Sequence, residues 1–71
     1  MIGEEFKIRR EALGLDQKQL AARLCVSQSA VCRIEAGLKM PSVMLVKLAA
    51  ELFGCTTDAL ILGREEARGS A

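Results

Sequence analysis

Residue types that begin or end α-helices recur along the chain about every dozen positions, a spacing typical of short helices. A side-chain oxygen just before a helix accepts a hydrogen bond from a free backbone N–H of the first turn. Suitable residues are Asp16, Ser27, Ser42 and Thr56. Glycines that can end a helix are Gly14, Gly37 and Gly54. No segment alternates like a β-strand, so the sequence predicts five short helices around one core.

Apolar residues in these segments recur at helical spacing. The first helix is expected to bury Ile2, Phe6 and Leu13, with Glu5 and Arg9 paired on its surface. Asp16 and Gln19 form a capping-box pattern before the second helix. The inward residues expected in the second helix are Leu20, Ala21 and Leu24, and those in the third are Val31 and Ile34. The fourth helix follows Pro41 and ends at Phe53, and the fifth spans residues 57–62.

The chain has 71 residues, which is enough for one domain; we place that domain at residues 1–63 and a flexible tail at 64–71. Two Phe and no Trp or Tyr mean that the core must be mainly aliphatic. The net charge is only +1, so any nucleic-acid partner requires positive charge that is concentrated locally. No apolar run approaches the length of a membrane span, and we expect no membrane contact.

Three cysteines and no signal peptide favour free thiols in the cytoplasm. Cys25, Cys32 and Cys55 do not have the spacing of a zinc finger, and the chain has no His to complete a ligand set. We therefore expect no metal site and no cofactor. Without His, a nucleophile–base pair or a phosphate-binding glycine loop, an enzyme is not expected either.

The third helix carries little apolar surface. Only Val31 and Ile34 share an inward face, and the remaining face is polar. Such a helix is held by two side chains and leaves hydrogen-bonding groups free.

The fourth helix is apolar on two sides. Val43, Val46, Ala50 and Phe53 form a first stripe, which suffices for the core. A second apolar stripe lies beside the first, and a chain of this size has too few residues to bury both. The excess apolar surface predicts a dimer contact that also includes the fifth helix. The residues assigned to this contact are Leu45, Leu48, Leu52, Ala59 and Leu62.

Several motifs together are typical of one family. They are Q-x-x-L-A at residues 17–21, V-S at 26–27, Val31, I-E-x-G at 34–37 and Pro41. Over residues 2–62 the chain resembles the Cro/C1-type helix-turn-helix proteins, which include lambdoid phage repressors and Cro. The resemblance implies a compact all-α five-helix fold with the third helix in the DNA major groove.

The resemblance assigns residues to DNA bases and to the DNA backbone. Gln28 occupies the leading base-reading position, where Gln can contact adenine through two hydrogen bonds. Ser29, Cys32 and Arg33 are further base-reading candidates, and Arg33 alternatively holds a phosphate. The backbone candidates are Gln17, Lys18, Ser27 and Lys39. In the phage proteins an Arg and a Glu that match Arg10 and Glu35 form a partly buried ion pair, so a structural role is expected for both.

Three positions depart from the family pattern. Ala36 replaces a frequent Asn, so one possible backbone hydrogen bond near the end of the third helix is missing. Cys25 stands where many relatives have Gly, so a positive φ there would strain it. Cys32 lies where Ser is common; it can be a tolerated small residue, a contact to a thymine methyl or a redox-sensitive thiol.

The expected function is sequence-specific DNA binding by a transcription regulator, with repression as the default. A homodimer on a palindromic operator would place its half-sites about 34 Å apart. Alternatives are an antitoxin or a restriction–modification controller with the same fold, or a protein-interaction module that no longer binds DNA. An antitoxin would also bind a toxin, and activation would involve contact with RNA polymerase.

Overall fold

The computed structural model describes residues 2–63, and these residues form five α-helices without a β-strand. The helices are α1 (Ile2–Ala12), α2 (Gln17–Leu24), α3 (Gln28–Glu35), α4 (Val43–Phe53) and α5 (Thr57–Leu62). The predicted all-α class is confirmed. Met1 and the predicted tail, residues 64–71, lie outside the described residues.

Side-chain hydrogen bonds confirm the predicted helix starts. Asp16 Oδ1 accepts the backbone N–H of Gln19 at 2.7 Å, and Gln19 Oε1 accepts that of Asp16 at 2.9 Å, which completes the capping box. Ser27, Ser42 and Thr56 each accept a backbone N–H three residues later. Each such cap contributes about 1 kcal/mol to helix stability.

The core is aliphatic apart from two aromatic rings. Phe6 of α1 is fully buried, and its ring meets that of Phe53 of α4 edge to face, with centroids 5.8 Å apart. All five helices contribute to the buried apolar cluster, whose members are Ile2, Phe6, Leu20, Ala21, Leu24, Val31, Ile34, Val46, Ala49, Ala50 and Leu60.

Two predicted core positions are wrong. Leu13 follows the end of α1 and is 47% exposed, because Gly14 turns the chain in the left-handed conformation and Leu15 packs against the core instead. Val43 is 81% exposed, because it is the first residue of α4 and the core begins one turn later, at Val46.

Gly3 allows α1 and α3 to approach closely, a feature that the sequence analysis did not identify. Gly3 is buried, and a Cβ at this position would overlap the carbonyl oxygen of Ile34 and lie 3.1 Å from that of Glu35. Both oxygens belong to the backbone and cannot move without shifting α3. The last turn of α3 therefore requires glycine here.

Gly3→Ala is expected to destabilise the fold by about 1–3 kcal/mol, the usual cost of overpacking, although alanine favours helices. Urea denaturation followed by circular dichroism measures this cost. Lys7→Ala, at an exposed position of the same helix, should change the free energy of unfolding by less than about 0.5 kcal/mol. A Gly3→Ala variant as stable as Lys7→Ala would contradict the close approach.

The turn between α2 and α3 places a cysteine in the left-handed conformation. Cys25 has φ 60°, and no other non-glycine residue among 2–63 has a positive φ. Its backbone N–H donates to the carbonyl of Ala22, and the N–H of Val26 donates to that of Ala21 at 3.0 Å. The strain expected at Cys25 is therefore present, at roughly 1–2 kcal/mol for a residue with a Cβ.

Cys25→Gly should raise the free energy of unfolding by about 0.5–1 kcal/mol, because it removes the Cβ clash but adds entropy to the unfolded chain. Thermal unfolding provides the measurement. Cys25→Ala is the matched control: it removes the thiol, keeps the Cβ and should leave the stability nearly unchanged. Equal stabilisation by both variants would assign the effect to the thiol rather than to the backbone.

Candidate nucleic-acid interface

Helices α2 and α3 are joined by only three residues, and α3 lies on the core through two side chains. Val31 is fully buried and Ile34 is 1% exposed, whereas most other side chains of α3 face solvent. The Ser27 cap fixes where α3 begins. The helix is therefore held from one side and presents the other outward.

The four base-reading candidates lie together on that outward side. Gln28 and Cys32 are four residues apart, as are Ser29 and Arg33, so they project from one face of α3. All four are exposed, and with Gln17 of α2 they line one open depression. Amide, hydroxyl, thiol and guanidinium groups thus share a surface that can exchange hydrogen bonds with base edges.

The predicted backbone contacts surround this depression unequally. Lys18 and Ser27 are exposed near the start of α2 and α3 respectively. Lys39 is also exposed, but it lines a separate depression with Glu35, Gly3 and Met40 at the other end of α3. Gln17 is half-buried. The depression with the base-reading candidates therefore includes Gln17 but not Lys39, which lies beside Glu35.

Arg10 and Glu35 form a buried ion pair between α1 and α3. Arg10 Nε donates to Glu35 Oε2 at 2.7 Å, and Arg10 Nη2 donates to Glu35 Oε1 at 3.1 Å. Arg10 Nη1 also donates to the carbonyl oxygen of Leu15 at 2.8 Å. The Glu35 side chain is 4% exposed, so its charge is neutralised inside the protein.

The hydrogen bond to Glu35 raises the pKa of the Arg10 guanidinium; burial opposes this shift, and the negative charges of Glu35, Glu11 and Asp16 reinforce it. Arg10 therefore remains charged, and its pairing with Glu35 does not depend on its own titration at ordinary pH.

Gln17 joins this ion pair, a contact that the sequence analysis missed. Gln17 Nε2 donates to Glu35 Oε1 at 3.1 Å, so Oε1 accepts from both Gln17 and Arg10. The two residues are 18 positions apart in sequence. No local pattern connects them, and only the packing of α2 beside the end of α3 could indicate the contact.

The sequence profile of the helix-turn-helix family matches residues 6–60, most of the chain, including α2, α3 and the turn between them. The chain belongs to the helix-turn-helix family of the Cro/C1 type. It is also 34% identical over 62 residues to the HTH-type transcriptional activator BcrR of Enterococcus faecalis. That match covers 87% of this chain but only 30% of the relative.

In this helix-turn-helix chain the expected dimer residues differ in exposure. Leu48 is 45% exposed and Leu62 is 57% exposed, whereas Leu45 and Leu52 are half-buried and pack partly against the core. Ala59 is 2% exposed, so it supports α5 from inside and offers almost no surface of its own. Leu48 and Leu62 are thus the members of the predicted set that remain accessible.

Other exposed apolar side chains, absent from the predicted dimer set, lie on the same two helices. Met44 lies four residues before Leu48 on the same face of α4, and Ile61 precedes Leu62 on α5. Met44 is 67% exposed and Ile61 46%. We use the term apolar surface for Met44, Leu48, Ile61 and Leu62.

The three cysteines, all within the described residues, form no disulfide; Cys25 and Cys32 are exposed and Cys55 is half-buried. Within residues 2–63 no group of three or more His, Cys, Asp or Glu side chains could hold a metal ion. Over the same residues no helix is both long and apolar enough to cross a membrane.

Glu35→Leu should cost about 3–5 kcal/mol of folding stability, because it leaves the Arg10 guanidinium buried without its partner. Replacing both residues, as Arg10→Met with Glu35→Leu, should restore most of that loss. Glu5→Leu, which breaks the more accessible i,i+4 pair with Arg9, is the control and should cost less than about 1 kcal/mol. Urea denaturation of the unmodified chain and the three variants measures these free energies of unfolding. Equal losses of stability for Glu35→Leu and Glu5→Leu would show that the buried pair matters no more for folding than the accessible one.

Proposed function

We propose that this chain binds double-stranded DNA sequence-specifically, as the DNA-binding unit of a transcription regulator. One observation carries the proposal: α3 is fixed by Val31 and Ile34 and presents a solvent-facing row of polar side chains. A major groove admits an α-helix, and each base pair presents a distinct pattern of donors and acceptors there. Membership of the helix-turn-helix family supports the same function.

The chemistry of the row suits bases, and the charges around it suit phosphates. Gln28 can pair with adenine N6 and N7, and Arg33 with guanine O6 and N7 or with a phosphate. Lys18 and Lys39 are exposed outside the row, and their positive charges can contact the DNA backbone. Ser27 and Gln17, at or beside helix N-termini, can donate to phosphates as well. Phosphate contacts would set the position of α3, and the base contacts would select the sequence.

A homodimer would recognise two copies of the DNA sequence that α3 contacts. The apolar surface consists of side chains that a monomer leaves in water, and a copy of the same chain has an identical patch to cover it. A two-fold symmetric pair would place two α3 helices in successive major grooves of a palindromic site, about 34 Å apart.

Repression and activation are both compatible with this mode of binding. A dimer that covers a promoter blocks polymerase, which makes repression the default for a small DNA-binding unit. Activation is the second candidate, because the relative with 34% identity is described as a transcriptional activator. A reporter gene with the binding site placed either over or upstream of the promoter separates the two roles.

Gln28→Ala should lower affinity for the preferred DNA sequence about 5–150-fold, because a bidentate base contact is worth about 1–3 kcal/mol. Affinity for a scrambled duplex should change little. Lys18→Ala is the contrasting variant: it should weaken binding to both duplexes and reduce the salt dependence by about one counterion. Fluorescence anisotropy titrations measure these affinities; an equal loss on both duplexes for Gln28→Ala would show that Gln28 does not read a base.

Leu48→Glu should shift the chain toward monomer in sedimentation equilibrium, because it places a charge in the proposed contact. Ile8→Glu is the matched control, since Ile8 is a similarly exposed apolar residue on α1. If Leu48→Glu leaves the oligomer unchanged and Ile8→Glu abolishes it, the interface lies on α1 instead.

A further inference from the structure

Glu35 is an acidic residue close to the surface that is proposed to bind DNA. A carboxylate at such a position would ordinarily repel the DNA phosphates. Its carboxylate accepts two hydrogen bonds from Arg10 and a third from Gln17. The side chain is 4% exposed, and Arg10 compensates its charge. Repulsion between Glu35 and DNA phosphates is therefore small. The carboxylate can accept hydrogen bonds from a fixed position.

The contact with Glu35 determines how the Gln17 amide is oriented. An ionised carboxylate can only accept hydrogen bonds, so the amide must present its N–H side to Glu35. Because the amide nitrogen carries two hydrogens, one N–H remains after the bond to Glu35. Gln17 also lines the depression that contains Gln28, Ser29, Cys32 and Arg33. The anchored amide thus lies at the edge of the proposed DNA-binding surface.

We infer that Glu35 is a positioning residue for DNA binding, which clamps the Gln17 amide so that its remaining N–H is directed to a DNA phosphate. This inference rests on the proposed function. Arg10 fixes Glu35, Glu35 fixes Gln17, and Gln17 contacts the DNA. A long polar side chain that is ordered before binding loses less conformational entropy when the complex forms.

Lys18, the next residue along α2, differs from Gln17 because its side chain is charged and is not held in place. It is exposed, and its ammonium group reaches a phosphate through four rotatable bonds without a fixed direction. Gln17 has no charge, so its value to binding depends on direction. Loss of the anchor should therefore matter for Gln17 and not for Lys18.

A thermodynamic cycle tests the dependence of Gln17 on Glu35. The four proteins are the unmodified chain, Gln17→Ala, the pair Arg10→Met with Glu35→Leu, and the triple variant. The pair replaces both charges by apolar groups, which preserves folding better than removing one partner. Affinities for the preferred duplex and a scrambled duplex are measured, and thermal unfolding verifies that each protein is folded.

Gln17→Ala should weaken binding to both duplexes about tenfold in the unmodified chain, as expected for a hydrogen bond to a charged group. In the Arg10→Met, Glu35→Leu background the same change should alter affinity less than about twofold. An equal loss in both backgrounds overturns the inference, because Gln17 would then contact DNA without Glu35. If the unmodified chain binds no duplex, the proposed function fails; if it binds and Gln17→Ala has no effect, only this inference fails.

Side-chain NMR on the free, unmodified chain tests the clamp without any variant. The Gln17 amide should be nearly as ordered as that of Gln19, which is fixed in the capping box, with an order parameter approaching about 0.85. Gln28 is exposed and should fall below about 0.6. A Gln17 amide as mobile as that of Gln28 overturns the inference, even if the multiple variants do not fold.

Discussion

The buried carboxylate of Glu35 is the interaction on which the geometry of the helix-turn-helix depends. It ends α3, and through Arg10 it is tied to α1 and to the carbonyl of Leu15 in the loop that follows. Through Gln17 it is tied to the first residue of α2. A buried ion pair contributes little net stability compared with apolar packing, but it admits few alternative arrangements. Its main effect here is to fix α3 relative to two other helices.

This constraint is useful because α3 has little apolar surface. Two side chains, Val31 and Ile34, attach it to the core, and Gly3 lets α1 come close to its last turn. With so few inward residues, the rest of α3 can vary without disturbing the fold. The proposed base-reading side chains and the core-facing side chains therefore lie on different faces of one eight-residue helix.

Local signals predicted most of the fold. The caps at Asp16, Ser27, Ser42 and Thr56 depend on hydrogen bonds within one turn, so the sequence alone located the helix starts. Burial was predicted less well, because periodicity shows which residues share a face but not where the core ends. Val43 is exposed for this reason, and the dimer set predicted on α4 and α5 contains Ala59, which is buried in the monomer.

The candidate site was only partly accessible from sequence. The resemblance located the polar face of α3, and it also supplied the pairing of Arg10 with Glu35, which no local pattern contains. The contact between Gln17 and Glu35, and the close approach at Gly3, depend on how helices pack across long sequence separations. Such contacts require either coordinates or covariation among relatives.

Selection of bound duplexes from a random pool with the purified protein would measure whether α3 reads DNA sequence. At near-physiological salt we expect enrichment of an inverted repeat whose half-sites lie about one helical turn apart. If no sequence is enriched, either at that salt or at low salt where phosphate contacts are strongest, α3 does not read DNA sequence.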